Sequence, residues 1–261
     1  MKYTVEVLAI TMKAQDFSLV ESMNITGNVI IANQTDHFDY ITHNTENGTA
    51  ILVSTKTKGA SLNRNIALSL ATKDIVVFCD DDVHFVDNYE RIIINEFEKH
   101  PNADVIKFYC DSLNKDRPLS YKNPGHFKKA TKASVLSAGV VLLAAKLKHL
   151  KTINIKFDET LGPGTENPNG EDSVFINDII KSKSKFYLSP CKLGTVTQEG
   201  SSWFAGFNTQ FFYTAGKIYK RIYGVLAYPV ALRRAYRMSH SPECRLSFRE
   251  IFSSLKRGIE S

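Results

Sequence analysis

Short apolar, β-branched runs recur through the first third of the chain: Val5–Ile10, Val29–Ala32, Ile51–Ser54, Ile75–Cys79 and Val105–Phe108. Runs this short and this uniformly apolar predict strands covered on both faces, as in a parallel sheet. Between them the period changes to that of a helix. Ser61 is placed to cap one helix, with Leu62, Ile66 and Leu70 on a single face. Asp87 is placed to cap a second, with Glu90 three residues on as its capping-box partner, running through Ile93 and Phe97 to Pro101. Strand and helix in alternation predict an α/β fold, Rossmann-like, with a mostly parallel central sheet flanked by helices. Ligands of such sheets sit beyond the carboxyl ends of the strands, where Asp80 falls.

After residue 110 the pattern changes. Residues 111–134 are polar and lysine-rich, with Pro118, Pro124 and Gly125, and predict a long mobile loop. Val140–Leu143 resumes a strand. A turn-dense stretch from Gly162 to Gly170 ends at Glu171-Asp172, after which Val174–Ile180 reads as a helix. From Asn208 onward the chain is aromatic and basic, with helical spacing broken by Pro229 and Pro242. These shifts predict a main unit of residues 1–215, in halves of about 1–110 and 111–215, followed by a basic, aromatic, helical extension of residues 216–261.

Composition adds limits. With 261 residues, 43% of them hydrophobic and 23% charged, the chain is an ordinary soluble globular protein in make-up. The net charge of +6 lies in the tail, where Lys217–Arg257 holds ten Lys or Arg against two acids. A polyanionic partner is therefore sought there, but no nucleic-acid recognition motif accompanies the charge. Cys79, Cys110, Cys191 and Cys244 lie far apart, with no CxxC pair, which argues against a zinc site or disulfide framework and for a reducing cytosol. The first ten residues, interrupted by Glu6, read as a strand rather than a signal peptide. No run approaches the roughly 20 apolar residues of a membrane span.

Three constellations carry chemistry. In IVVFCDDDVHF, residues 75–85, a hydrophobic strand empties into Asp80, Asp81 and Asp82. Three consecutive carboxylates at a buried strand end repel one another unless a cation joins them, and hard oxygen ligands suit Mg²⁺ or Mn²⁺ on a diphosphate. Asp172 sits just off a helix start on the core-facing side, where helix-terminal amides favour the ionised carboxylate that a general base requires. Arg64 lies in the first turn of its helix, away from the Leu62–Ile66–Leu70 face, within reach of a ligand at the strand ends.

The order of these three is more specific than any one of them. It resembles the family 2 glycosyltransferases of the GT-A fold, in particular the bacterial enzymes that build capsular, exopolysaccharide or lipopolysaccharide units. The stretches that carry the resemblance are LAITM (8–12), VIIANQTD (29–36), STKTKGASLNRNIALSLATKDIVVFCDDDV (54–83), GEDSVFINDII (170–180) and SSWFAGF (201–207). It covers roughly residues 3–215, which it marks as a GT-A catalytic domain with a nucleotide-binding and an acceptor-binding half.

The resemblance implies that Thr11, Asn33, Gln34 and Arg64 surround the nucleotide base. It puts Asp80 and Asp81 near the ribose and metal, makes Asp82 the metal ligand with Asp80 beside it, and makes Asp172 the catalytic base. Many relatives carry an acidic residue where this chain has Asn33-Gln34; an amide still serves a pyrimidine edge, with uracil and thymine both open. The expected donor is a nucleotide-diphosphate sugar, a UDP-sugar first among them. The expected acceptor is a glycan or lipid-diphosphate-linked sugar, and the expected reaction is a single inverting displacement. Trp203, the only tryptophan, offers a sugar-stacking face and is assigned with Glu171 to the acceptor. The tail mixes Ile218, Tyr219, Ile222, Tyr223, Leu226 and Tyr228 with Lys217, Lys220 and Arg221. Such a mixture suits a peripheral helix on an anionic bilayer, at the cytoplasmic face of the inner membrane.

Other classes fit less of the chain. A haloacid-dehalogenase-type phosphohydrolase matches DxDx(T/V) at Asp80–Val83, but there the motif belongs on the first strand. A nucleotidyltransferase calls for an N-terminal Gly-rich basic loop, absent here. A non-catalytic sugar-binding module has no use for metal carboxylates together with Asp172.

Overall fold

The structure is a computed structural model, and it describes residues 3–114, 119, 121–136, 138–198 and 206–261. Its elements in chain order are β1 (Val5–Met12), α1 (Ser18–Ser22), β2 (Asn28–Gln34), β3 (Asp39–Asn44), β4 (Thr49–Thr55), α2 (Ala60–Leu70), β5 (Ile75–Asp80) and β6 (Val83–Phe85). There follow α3 (Tyr89–Lys99), β7 (Val105–Ser112), β8 (Lys128–Lys129), α4 (Lys132–Val135), β9 (Leu143–Lys146), α5 (Leu147–Thr152) and α6 (Glu171–Lys181). The last are β10 (Phe186–Val196), α7 (Thr209–Tyr223), a 3₁₀ turn at Gly224–Leu226, α8 (Ala227–Ser239) and α9 (Phe248–Glu260).

One sheet runs through the molecule in the order β3-β4-β2-β1-β5-β9-β7-β10-β6, with β8 against β10. The β4-β2-β1-β5 block is parallel, and β7 pairs β10 in parallel. β9 lies antiparallel between β5 and β7. The uninterrupted apolar runs have the predicted cause. Val5, Val7 and Ala9 of β1, with Val29 and Ile31 of β2, face one buried cluster; Leu8, Ile30 and Ala32 face another on the opposite side. Helices α1 and α3 cover the first side, and α2, α5 and α6 the second.

Several local expectations change. The Val140–Leu143 strand begins only at Leu143, because the preceding residues form a tight turn with Gly139 at φ +66° and Leu142 at φ +59°. The long loop after residue 110 includes β8 and α4, whose Thr131 and Ser134 form a capping box. Gly59, not Ser61, caps α2, and Ser61 instead donates to the Leu161 carbonyl at 2.7 Å. Asn88 caps α3 with no side-chain bond, while Asp87 accepts from Asn24 at 3.1 Å and Glu90 lies against Gly27. Pro229 does not break a helix; it sits in the first turn of α8, where its missing N–H is harmless, and the break falls at Gly224.

The C-terminal helices have their own small core, and because α7 begins at Thr209 the break expected at 215/216 falls inside a helix. Phe212, Ala231, Ala235, Ile251 and Leu255 pack together between α7, α8 and α9. The α7–α9 crossing is closed by Gly216 and Gly258: a Cβ on Gly216 would come within 2.1 Å of the Leu255 carbonyl, so no larger residue fits without separating the helices. A second contact, Ile218 and Ile222 with Leu161 and Val174, seats α7 on the sheet-bearing unit. Arg221 reinforces it through Asp158 at 3.2 Å and Asp178 at 2.8 Å. Two apolar residues expected to face a membrane, Ile218 and Ile222, therefore face inward, and the exposed Arg221 is committed to two carboxylates. Among the described residues no helix is long and apolar enough to cross a membrane, and all four cysteines are free thiols.

Candidate active site

Sheet register brings the predicted residues to one edge. Thr11 on β1 pairs with Asn33 on β2, Asn33 with Ser54 on β4, and Ile10 with Asp80 on β5. Thr11 donates to Asp81 at 2.6 Å. Asn33 is completely buried, and its amide is committed on both sides: Nδ2 donates to the Ala14 carbonyl and to Ser54 Oγ, and Oδ1 accepts from the Ala14 amide. It braces the loop after β1. Gln34 accepts from the Gly59 amide at 2.9 Å, tying the end of β2 to the start of α2.

Arg64 is not the outlying side chain the Leu62–Ile66–Leu70 stripe suggested. The buried face of α2 runs through Ser61, Arg64, Ala67 and Leu68, and Arg64 is 4% exposed. Its guanidinium reaches Asp80 at 2.8 Å, Asp172 at 3.2 Å and Glu171 at 3.4 Å. Below it lies an aromatic floor. Phe157 and Phe175 stack at 3.8 Å, Phe78 meets both edge-on, and Arg64 sits 5.4 Å from the Phe157 ring. Burial pulls the arginine's pKa down, but the charges of Asp172, Asp80 and Glu171 outweigh it and hold the pKa above its ordinary value. One guanidinium thus fastens the strand end that carries Asp80 to the helix start that carries Asp172.

The turn-dense loop before α6 is what sets that helix start. It docks on α2 through the Ala60 amide, which donates to the Pro163 carbonyl at 3.0 Å. Gly164, at φ +89°, lies against Gly59, where a Cβ would stand 3.0 Å from the facing Cα. Glu171, assigned to the acceptor by sequence, is buried here beside Arg64; burial and the adjacent Asp172 charge push its pKa up to about 7. Asp172 stays a quarter exposed, with Oδ1 accepting from Arg64 and Oδ2 from the Val140 amide at 3.0 Å. The two bonds fix the orientation of the carboxylate.

Asp80, Asp81 and Asp82 diverge. Asp80 faces Arg64, Asp81 faces Thr11, and Asp82 accepts from the Gln198 amide at 3.1 Å. Burial, then the neighbouring Asp80 charge, raises Asp82; burial and Asp80 likewise raise Asp81, against the Thr11 hydrogen bond. Among the described residues no three His, Cys, Asp or Glu side chains converge on one point. Carboxylate oxygens are hard ligands, and a cation such as Mg²⁺ is commonly held by one or two of them with its remaining positions left to phosphate oxygens and water. Trp203 and its flanking serines lie outside the described residues.

Residues 28–140, from β2 to the turn that holds Asp172, match the family model described as Glycosyl transferase family 2. That segment belongs to glycosyl transferase family 2. The family-2 segment contains Asn33, Gln34, Arg64 and the three aspartates; Thr11 and Asp172 lie outside it. Among solved structures the chain is similar to S. aureus TarS. The 1–349 fragment crystallised with UDP-GlcNAc aligns at TM-score 0.66 and 14% identity, over 91% of this chain and 73% of that one. The same fragment with UDP aligns at TM-score 0.60 and 12% identity, over 98% and 70%. The larger TarS structure aligns at TM-score 0.63 and 14% identity, but this chain spans only 44% of it. The shared fold is GT-A. No curated protein matches the chain.

Two features escaped the sequence reading. The bridging role of Arg64 was legible in Ser61, Ala67 and Leu68, small or apolar residues three and four positions away that mark its face as buried. The Val140 amide carries no side-chain signal; only Gly139, in Ser137-Ala138-Gly139, hinted at a turn there.

Proposed function

We propose that the chain transfers a sugar from a nucleotide-diphosphate sugar, a UDP-sugar before others, to a hydroxyl of a glycan or lipid-diphosphate-linked acceptor in bacterial surface polysaccharide synthesis. The observation that carries this is Asp172, half-sheltered at the start of α6 and oriented by Arg64 and the Val140 amide beside the strand-end carboxylates. Membership of family 2 and the fold shared with a protein crystallised with UDP-GlcNAc support the nucleotide sugar. A phosphohydrolase or nucleotidyltransferase would leave Asp172 and its two donors without a task.

In this reading the nucleotide lies over the carboxyl ends of β1, β2 and β5. Thr11 and Gln34 border the base, with Asn33 holding the loop beneath it, and Asp80 and Asp81 border the ribose. Asp82, with Asp80 near, would hold Mn²⁺ or Mg²⁺, which when bound offsets the charge of the departing diphosphate. Asp172 accepts the proton of the acceptor hydroxyl, and that oxygen attacks the anomeric carbon from the face opposite the diphosphate. The bond to the phosphate oxygen breaks with its electron pair on the nucleotide, so one displacement inverts the anomeric centre. Arg64 holds the Asp172 carboxylate in place for this step. Trp203 is assigned to stack on the acceptor. Asp172→Asn is expected to abolish transfer while leaving nucleotide affinity nearly unchanged, measured by product formation and by calorimetric titration with UDP. Transfer near the wild-type rate would refute the assignment of the base.

We also infer an anionic membrane surface as partner of the extension. The face that suits it is displaced from the one expected: Val225, Leu226, Leu232 and Tyr236 are exposed on the 3₁₀ turn and α8, with Arg233 and Arg237 exposed among them.

A further inference from the structure

We propose that Lys107 is a positioning residue for Asp172: its buried ammonium pins the Val141 carbonyl and so holds the turn whose Val140 amide orients the carboxylate. The proposal rests on the reading of Asp172 as the base and adds a residue that no motif singled out.

Lys107 lies on β7, an interior strand, paired with Leu143 of β9 on one side and Leu188 of β10 on the other. It is 2% exposed, among the largest completely buried side chains of the molecule. No carboxylate of the described residues lies within ion-pairing distance. Its Nζ donates to the Val141 carbonyl and stands 5.4 Å from the Tyr121 ring, whose own hydroxyl is buried without a hydrogen-bond partner among the described residues. Burial pulls the ammonium's pKa down to about 8, with the charges around it, Asp172 and Asp80 included, acting the other way.

An apolar residue of similar volume would serve the core better, since a buried charge lacking a counter-ion is costly to keep. Stability therefore does not account for this lysine, and its contact does. The turn from Gly139 to Leu142 holds two residues in the left-handed region, one of them a leucine, which disfavours it. It is fastened at its far end, where the Leu142 amide donates to Phe78 at 2.7 Å and the Leu142 carbonyl accepts from Phe108 at 3.0 Å. Lys107 fastens the middle. At the near end the turn presses on the base: a Cβ on Gly139 would lie 3.2 Å from Asp172 Oδ2, the oxygen that accepts from Val140. A small displacement of the turn would thus move the carboxylate, and misplacements of this kind lower turnover more than binding.

The test is Lys107→Met in the full chain, read by melting temperature, donor KM, kcat and hydrogen exchange of the 138–142 amides. The melting temperature is expected to hold or rise, and donor KM to stay within about twofold. Turnover should fall about tenfold or more, and exchange should speed up about tenfold. A folded variant with wild-type kcat and exchange overturns the proposal. So does a joint loss of melting temperature, donor affinity and kcat, which marks a merely structural lysine. If Lys107→Met does not fold, Lys107→Leu carries the same test, and failure of both to fold also overturns it. Asp172→Asn measured alongside separates the two claims. Full activity in that variant refutes the base, whereas wild-type kcat in Lys107→Met beside an inactive Asp172→Asn refutes only the role of the lysine.

Discussion

At the scale of single residues the site is a problem of charge. Among the described residues Arg64 alone faces Asp80, Asp172 and Glu171 across a floor of phenylalanines, where each carboxylate left ionised beyond the first is increasingly costly. Glu171, the most buried of the three, meets that cost by holding its proton up to about pH 7. Its folded pKa is above its unfolded value, so between the ordinary glutamate range and about pH 7 the folded state binds more protons than the unfolded. The glutamate's contribution is therefore fully present at low pH and lost as pH rises through about 7. Glu171→Gln, permanently neutral, should gain stability relative to the wild type as pH is raised from 4.5 to 8. Denaturant unfolding of both proteins at the two ends measures this, and a difference independent of pH would contradict it. The same charge balance explains why α2 was misread. A hydrophobic stripe is sought in Leu and Ile, and it selected Leu62, Ile66 and Leu70. The structure buries Arg64 because the site carboxylates supply its partners, and Ser61 because the Leu161 carbonyl supplies its own.

At the scale of elements, the strands were legible and their company was not. Continuous apolar runs identify β1, β2, β4, β5 and β7, because strands buried on both faces have no polar side to show. β3, wholly exposed at the edge, and β6, only three residues long, carry no such signal. Nor does periodicity reveal that β9 runs antiparallel, since a four-residue strand is set by its neighbours and by the Lys107-held turn before it. The start of α6, with Asp172 in its first turn, was legible from the density of turn residues ahead of it. In the extension the aromatic and basic composition was plain, but which residues face out depends on α7 docking through Ile218, Ile222 and Arg221. If the exposed α8 face meets a bilayer, wild-type protein should float with vesicles containing anionic lipid and not with neutral ones. Replacing Leu232 and Tyr236 by Ser, with Arg233 and Arg237 by Gln, should abolish flotation. Equal flotation on both vesicle types would contradict an anionic partner.

At the scale of the whole molecule, one register of β1, β2 and β4 lines up Thr11, Asn33 and Ser54, Asp80 of β5 stands opposite the neighbouring Ile10, and one arginine joins Asp80 to the helix bearing Asp172. The half that should bind nucleotide is largely the half that matches glycosyl transferase family 2. The order of motifs was therefore a sound guide to family, while the contacts that make the site work came only with the fold. The most direct test of the account is thermal stabilisation by UDP-, dTDP- and GDP-sugars, with and without Mn²⁺, in wild-type protein and in Asp82→Asn. The account predicts a shift with a UDP-sugar that is larger in the presence of Mn²⁺ and whose metal-dependent part is lost in Asp82→Asn. No shift with any nucleotide sugar, with or without the metal, would contradict it.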